Sequence, residues 1–381
     1  MENLMSTYPK SSELIFTRGE GCNVYSTQGD EYLDFTSGIG VSALGYNHPK
    51  MVEAITNQAN LIHLSNLYNT KIDIDLAKKI CKKTGMSSVF FANSGAESNE
   101  GAIKLARKYS FDKYGEGRHE IITLNNSFHG RTITTLKATG QEKMHNYFFP
   151  FTEGFVYADT NIDDIKSKVS EKTCAIMVEF VQGEGGVVPL DKTFVKQLEE
   201  LCNDKDILLI ADEVQTGVGR TGEFCGFMHY DVKPDIMTLA KGLGGGVPIG
   251  AVVAGEKCKD TFGLSDHGST FGGNALSSAV ATVVVDEMTP EFLADIRDRA
   301  EYLQSELSKI DSSNIKEVRG VGMMIGIALK DTLVNAEVRE ACQSKNLLVL
   351  TAGDNTVRLL PPLVVSKEEI DKCVQILKEV L

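Results

Sequence analysis

From residue 88 onward the chain alternates short, almost unbroken apolar runs with stretches whose apolar residues recur every three or four positions. The runs "SVFFA" (88–92), "EIITL" (120–124), "CAIMVEF" (174–180), "ILLIA" (207–211), "DIMTLA" (235–240) and "IGAVVAG" (249–255) are too short for helices and rich in β-formers, so they predict strands. "NEGAIKLARKY" (99–109) and "TFVKQLEELCN" (193–203) carry helical spacing. Strands that are apolar on both faces need cover on both faces, which predicts an α/β domain around a large, mostly parallel sheet. In such sheets ligands collect beyond the carboxyl ends of the strands, so the residues that follow each run are where chemistry is sought.

The last hundred residues read differently. Helical patterns in "EFLADIRDRAEYLQSEL" and "KEEIDKCVQILKEV" flank "VGMMIGIAL" and "LLVLTAGDNTVRLLPP", which predicts a smaller α+β unit. Near the start, "VYSTQGDEYLDFTSGIGV" reads as a hairpin followed by a loop that packs on that same unit. The expected division is an N-terminal segment at 1–45, a large domain at 46–275 and a small C-terminal domain at 276–381.

Composition narrows the function classes. A net charge of -13 leaves no basic footprint for nucleic acid or an anionic membrane. The longest apolar runs, such as "AVATVVV", fall far short of the roughly 20 residues that span a bilayer. "MENLMSTYPKSSELIF" has no cationic segment leading into an apolar one, so a soluble, cytoplasmic protein is expected. The cysteines never form a C-x-x-C pair, which predicts reduced core thiols and no metal site.

Four of the strand ends carry polar clusters that a sheet does not need. After "SVFFA", Ser94, Gly95 and Ala96 open a helix with small residues, so that backbone N–H groups can face a phosphate; a capping box from Ser94 to Glu97 explains the same pattern without a ligand. After "EIITL", Phe128 and Arg131 in "FHGRT" suit stacking on a flat ring and gripping a carboxylate. Asp212 and Glu213 stand at the end of "ILLIA", where a carboxylate is costly without a partner. Lys241 follows "DIMTLA" and precedes "GLGGG"; a lysine in a dry site loses its charge readily, and a neutral amine condenses with an aldehyde. Gly217, Gly219 and Gly222 also form a G-x-G-x-x-G, which raises a nicotinamide-dependent oxidoreductase, but "EFCGFMHYDVKP" after it offers no helix for a pyrophosphate. An aldehyde-trapping lysine, a phosphate-type helix start, a stacking ring and a strand-end acid together are what pyridoxal phosphate requires.

Along essentially its whole length the sequence resembles the class III, fold type I aminotransferases, and most closely their acetylornithine branch. "GYNHP", "NSGAESNEGAIKLAR", "FHGRT", "VEFVQGEGGV", "ADEVQTGVGRTG", "PDIMTLAKGLGGGVPIGA", "HGSTFGGN" and "RLLPPL" carry the resemblance in order. It implies pyridoxal 5'-phosphate as cofactor, with Lys241 bonding its aldehyde and moving the substrate proton, and Asp212 pairing with the ring nitrogen. It implies that Gln215 meets the phenolic oxygen, that Val214 and Phe128 enclose the ring, and that Gly95 and Ala96 hold the phosphate. Thr270 would reach the phosphate of the neighbouring subunit, making the active sites shared across a homodimer.

For the substrates, the resemblance implies that Arg131 grips the far carboxylate of the amine donor and that Arg358 takes the α-carboxylate of glutamate or 2-oxoglutarate. Glu184 would neutralise Arg358 when the donor carries no carboxylate there, and Ser269 would line the substrate space. The expected reaction passes the terminal amine of N2-acetyl-L-ornithine to 2-oxoglutarate, giving N-acetylglutamate 5-semialdehyde and L-glutamate, as in arginine synthesis. Succinylornithine, ornithine or 4-aminobutyrate transamination, a glutamate semialdehyde mutase, and a binding protein that keeps the fold without catalysis are the alternatives. Glycine and small apolar residues in "TSGIGVSALGYN" suit a roomy mouth that admits a blocked amine.

Overall fold

The computed structural model describes residues 3–8 and 14–381; the expectation of no export signal rests partly on residues 1, 2 and 9–13, which lie outside them. A seven-stranded sheet forms the larger layer, in the order Ser88–Ala92, Gly250–Ala254, Ile236–Leu239, Leu208–Asp212, Thr173–Val178, Glu120–Leu124, Phe155–Ala158. All pairings are parallel except those of Gly250–Ala254, which runs antiparallel to both of its neighbours. Every residue of Thr173–Val178 and Leu208–Asp212 is buried, which is why these strands are continuous apolar runs rather than alternating ones.

Helices cover the sheet. Gly95–Tyr114 packs on Gly250–Ala254 and Ile236–Leu239 through Ala102, Ile103, Leu105 and Ala106, and Lys192–Lys205 buries Phe194, Val195, Leu198 and Leu201. Burying each such Leu or Ile contributes roughly 1.5–3 kcal/mol. The second helix starts where Asp191 accepts the Phe194 N–H at 2.9 Å and ends where Asp206 turns left-handed.

The C-terminal part holds an antiparallel sheet in the order Ile315–Val321, Met324–Leu329, Thr356–Leu359, Leu350–Ala352, backed by the helices Pro290–Ser308 and Lys367–Val380. The N-terminal strands Phe16–Glu20, Asn23–Ser26 and Glu31–Asp34 form a meander whose last member pairs in parallel with Leu347–Leu348. All cysteines are free, and all but Cys81 are buried. Among the described residues no group of His, Cys, Asp and Glu is arranged to hold a metal, and no helix is long and apolar enough to cross a membrane.

Candidate active site

The carboxyl ends of the central strands open onto a cavity of about 420 Å³, lined among others by Gly95, Ala96, Phe128, Arg131, Asp212, Val214, Gln215 and Lys241. Strand geometry accounts for this convergence. Parallel strands deliver their C-terminal residues to one edge, and the antiparallel Gly250–Ala254 lets the chain re-enter the sheet after the turn that Lys241 opens.

Asp212 ends its strand almost fully buried and is ringed by donors. Its Oδ2 accepts from Asn99 Nδ2 at 2.8 Å and His129 Nδ1 at 2.7 Å, and its Oδ1 accepts from the Val214 N–H at 3.1 Å. Glu213, the next residue, turns away from the cavity. It accepts from Thr216 Oγ1 and from the N–H groups of Gly226 and Phe227, at 2.5, 2.7 and 2.8 Å, and so organises the following turn.

Two further titratable groups, absent from the sequence reading of the site, stand beside Asp212. Burial works against a proton on His129, but the hydrogen bond and charge of Asp212, with Glu179 behind, outweigh it and hold the imidazole above its ordinary value. Burial lifts the Glu179 carboxyl to about 7, with His129 holding it back and Asp212 adding to the rise. Glu179 lines the cavity and accepts the N–H groups of Phe128 and Gly183 at 2.9 and 3.3 Å, joining the segment with the stacking ring to the segment with Glu184. His129 Nε2 and Asn99 Oδ1 are buried with no partner among the described residues.

Lys241 opens a 3₁₀ turn at Lys241–Gly244 with φ +42°, in the left-handed region that favours glycine. It is half-buried and lines the cavity. Burial lowers its pKa most, Arg358 adds to the fall, and Glu184, Asp212 and Glu179 counter it only in part. The amine is therefore neutral more readily than a surface lysine, as attack on a carbonyl demands.

At the other wall, Ser94 caps the helix Gly95–Tyr114 by accepting the Glu97 N–H at 3.2 Å, and Glu97 in return accepts the Asn93 N–H at 2.8 Å. The N–H groups of Gly95 and Ala96, at the first positions of the helix, have no intrahelical carbonyl to bond and line the cavity. A Cβ at Gly95 would lie 2.7 Å from Val214 Cγ1, so only glycine lets the helix start come this close to Val214. Phe128 is half-buried, and the Arg131 guanidinium sits 5.6 Å from its ring centroid. Arg131 is exposed on the cavity wall and forms no ion pair among the described residues.

Arg358 lies beneath the cavity, fully buried in its strand, and does not line it. Its Nη1 donates to Glu184 Oε1 at 2.6 Å and to Gln215 Oε1 at 3.0 Å, while its Nε has no partner among the described residues. Burial pushes the Glu184 carboxyl up, but Arg358, helped by Lys241, brings it below its usual value. Ser269 is one side chain removed from the cavity, accepting from Asn93 Nδ2 at 3.1 Å. Thr270 is exposed and stands apart from the cavity of its own chain. The G-x-G-x-x-G glycines lie in turns followed by a five-residue 3₁₀ helix at Gly226–Tyr230, with no α-helix behind them to face a pyrophosphate.

The aminotransferase class-III family profile matches residues 6–381. The chain is 48% identical over 385 residues to the acetylornithine aminotransferase of Caldanaerobacter subterraneus subsp. tengcongensis, covering 99% of this chain and 97% of that protein. It is 46% identical to that of Haemophilus ducreyi, covering 99% and 96%. Among solved structures, the N-acetylornithine aminotransferase of Stenotrophomonas maltophilia superposes with a TM-score of 0.85 at 34% identity, covering 97% of this chain and 96% of that one. The ornithine aminotransferase of Toxoplasma gondii superposes at 0.94 with 29% identity, covering 100% and 92%.

Proposed function

Because the chain belongs to the class III aminotransferases and is a pyridoxal-phosphate-dependent enzyme, we propose that it moves the terminal amine of N2-acetyl-L-ornithine to 2-oxoglutarate. The products are N-acetylglutamate 5-semialdehyde and L-glutamate, and the enzyme works as a soluble cytoplasmic homodimer. The naming of its full-length relatives as acetylornithine aminotransferases supports the donor.

The cavity suits the cofactor on grounds of its own chemistry. A carboxylate fixed by Asn99, His129 and the Val214 N–H waits at its floor, the open N–H groups of Gly95 and Ala96 form an anion cradle, and Val214 and Phe128 supply apolar faces. When bound, pyridoxal phosphate supplies the electron-withdrawing ring that stabilises charge on the substrate carbon. In our reading Asp212 holds the ring nitrogen protonated, Gln215 donates to the phenolic oxygen, and Lys241 Nζ carries the proton away from and back to the substrate. Arg131, which pairs with no acid among the described residues, receives the donor's α-carboxylate.

The observation that carries the two-substrate reading is Arg358. It is a buried guanidinium whose Nε has no partner among the described residues, held by one acid there, Glu184, that can be exchanged for the carboxylate of glutamate. With N-acetylornithine bound the internal pair stays closed; with 2-oxoglutarate bound it opens. Thr270 is exposed and does not line its own cavity, which supports a role in a partner's site. Nearby, the segment with exposed Leu61, Ile62, Leu64 and Leu67 is tied to Leu276 by a 3.1 Å hydrogen bond to the Ile62 carbonyl, and offers an apolar face for that partner.

A panel of donors with 2-oxoglutarate tests the proposal: N2-acetylornithine, N2-succinylornithine, ornithine and 4-aminobutyrate. N2-acetylornithine should give the highest kcat/KM, and an equal or higher value with free ornithine would overturn the assignment.

A further inference from the structure

Arg220 sits in the glycine-rich turn after Asp212, is 2% exposed, and pairs with no carboxylate among the described residues. Burial alone pulls its pKa down to about 9. A buried guanidinium balanced only by neutral groups is costly, so what it touches shows what it is kept for. Its Nη1 donates to the carbonyls of Pro361 and Met323 at 2.5 and 3.1 Å, and its Nη2 donates to Ser37 Oγ at 3.4 Å. Ser37 Oγ in turn donates to the Leu360 carbonyl at 2.6 Å. The Arg220 backbone adds a fourth link, accepting the Met323 N–H at 2.9 Å.

These contacts join three pieces of the site. Leu360 and Pro361 directly follow the strand Thr356–Leu359, which holds Arg358. Ser37 begins a turn in which Ser37, Gly38, Ile39 and Gly40 all have positive φ, at 40°, 64°, 67° and 77°. The glycines accept that region freely, but β-branched Ile39 there is an outlier that persists only where its surroundings impose it. The turn leads into Val41, which lines the cavity, and its Gly40 carbonyl lies 3.6 Å from where a Cβ on Gly242, the residue after Lys241, would stand.

We propose that Arg220 is a positioning residue for the dicarboxylate half of the reaction: through Ser37 and the Leu360–Pro361 carbonyls it fixes Arg358 against the strained turn at the cavity mouth. This rests on the reading that Arg358 receives the carboxylate of a five-carbon 2-oxoacid. A planar fork that donates in divergent directions can hold all three acceptors at once; the point charge of a lysine cannot. Release of the fork leaves Arg358 charged and present but free to shift, and a misplacement of about 1 Å at a binding group costs up to about a hundredfold.

The test separates the two half-reactions by stopped-flow absorbance of the cofactor in the holoenzyme, using Arg220→Lys and Ser37→Gly. The second variant removes the bridging hydroxyl at a left-handed position that glycine accepts without strain, so it preserves the fold should the first not accumulate. The half-reaction with N2-acetylornithine should stay within about twofold of the unaltered protein, while the apparent affinity for 2-oxoglutarate weakens about tenfold or more. Loss of both half-reactions by the same factor, or an unchanged affinity for 2-oxoglutarate in folded, cofactor-loaded Ser37→Gly, overturns the inference. Unaltered protein that passes no amine to 2-oxoglutarate sinks the functional reading instead.

Discussion

The Nδ1 of His129 lies 2.7 Å from Oδ2 of Asp212, with both side chains buried, so the acid beneath the cavity is clamped by an imidazole as well as by the Asn99 amide. Asp212→Asn keeps the shape and removes the charge. We expect the fold and the bound cofactor to survive and turnover to fall about 10²–10³-fold, the range for losing one preorganised electrostatic partner. Steady-state rates beside a cofactor absorbance spectrum check this, and a loss under tenfold would deny Asp212 its role.

Lys241→Ala should abolish the borohydride-sensitive absorbance of the holoenzyme. Turnover should fall at least about 10²–10⁴-fold, the contribution of a positioned proton carrier alone. Reduction followed by peptide mapping gives the independent check: the label belongs on position 241 in the unaltered protein.

Arg131→Ala should raise KM for the amine donor about 10–100-fold, because a charge-assisted pair with a carboxylate is lost while the cofactor contacts remain. Its guanidinium lies over Phe128 and pairs with no acid among the described residues, so little stability goes with it. A colourless variant would mean that the residue serves the cofactor instead.

Glu179 and His129 make the stability of this protein depend on pH in a stated direction. Glu179 is raised from 4.5 to about 7, so between those values the folded chain keeps a proton that the unfolded chain has released. Its stabilising contribution is complete below pH 4.5 and lost as pH rises through 7, up to about 3 kcal/mol. His129, also raised, adds a loss of the same sign as pH climbs past its ordinary value. Chemical denaturation of the cofactor-free protein at pH 5 and pH 8 should show Glu179→Gln losing less stability across that span than the unaltered chain; parallel curves would rule this out.

Much of this was written in the strand runs. "SVFFA" and "EIITL" are strands over those residues, and the other four shift by one or two positions at their ends. The edge strand Phe155–Ala158 escaped because a four-residue, half-buried edge has neither a continuous apolar run nor a clean alternation. Asp212 was legible from its place after an apolar run, and Glu179, which follows "CAIMV" in the same way, carries the same mark. The adjacent pair Asp212 and Glu213 was not separable in sequence, since consecutive residues leave a strand on opposite sides. Asn99 and His129 were invisible as partners because they meet Asp212 only once a helix and a loop far apart in the chain are packed together.

The left-handed backbone at Lys241 sets the interests of the fold against those of the chemistry. Relieving it with Lys241→Gly would spare the chain on the order of 1 kcal/mol of local distortion and the cost of confining an amine in a dry place. The inert protein should thus melt later than the working one when both lack cofactor, and the cofactor would reverse that ranking by holding more tightly to the chain that can also bond to it.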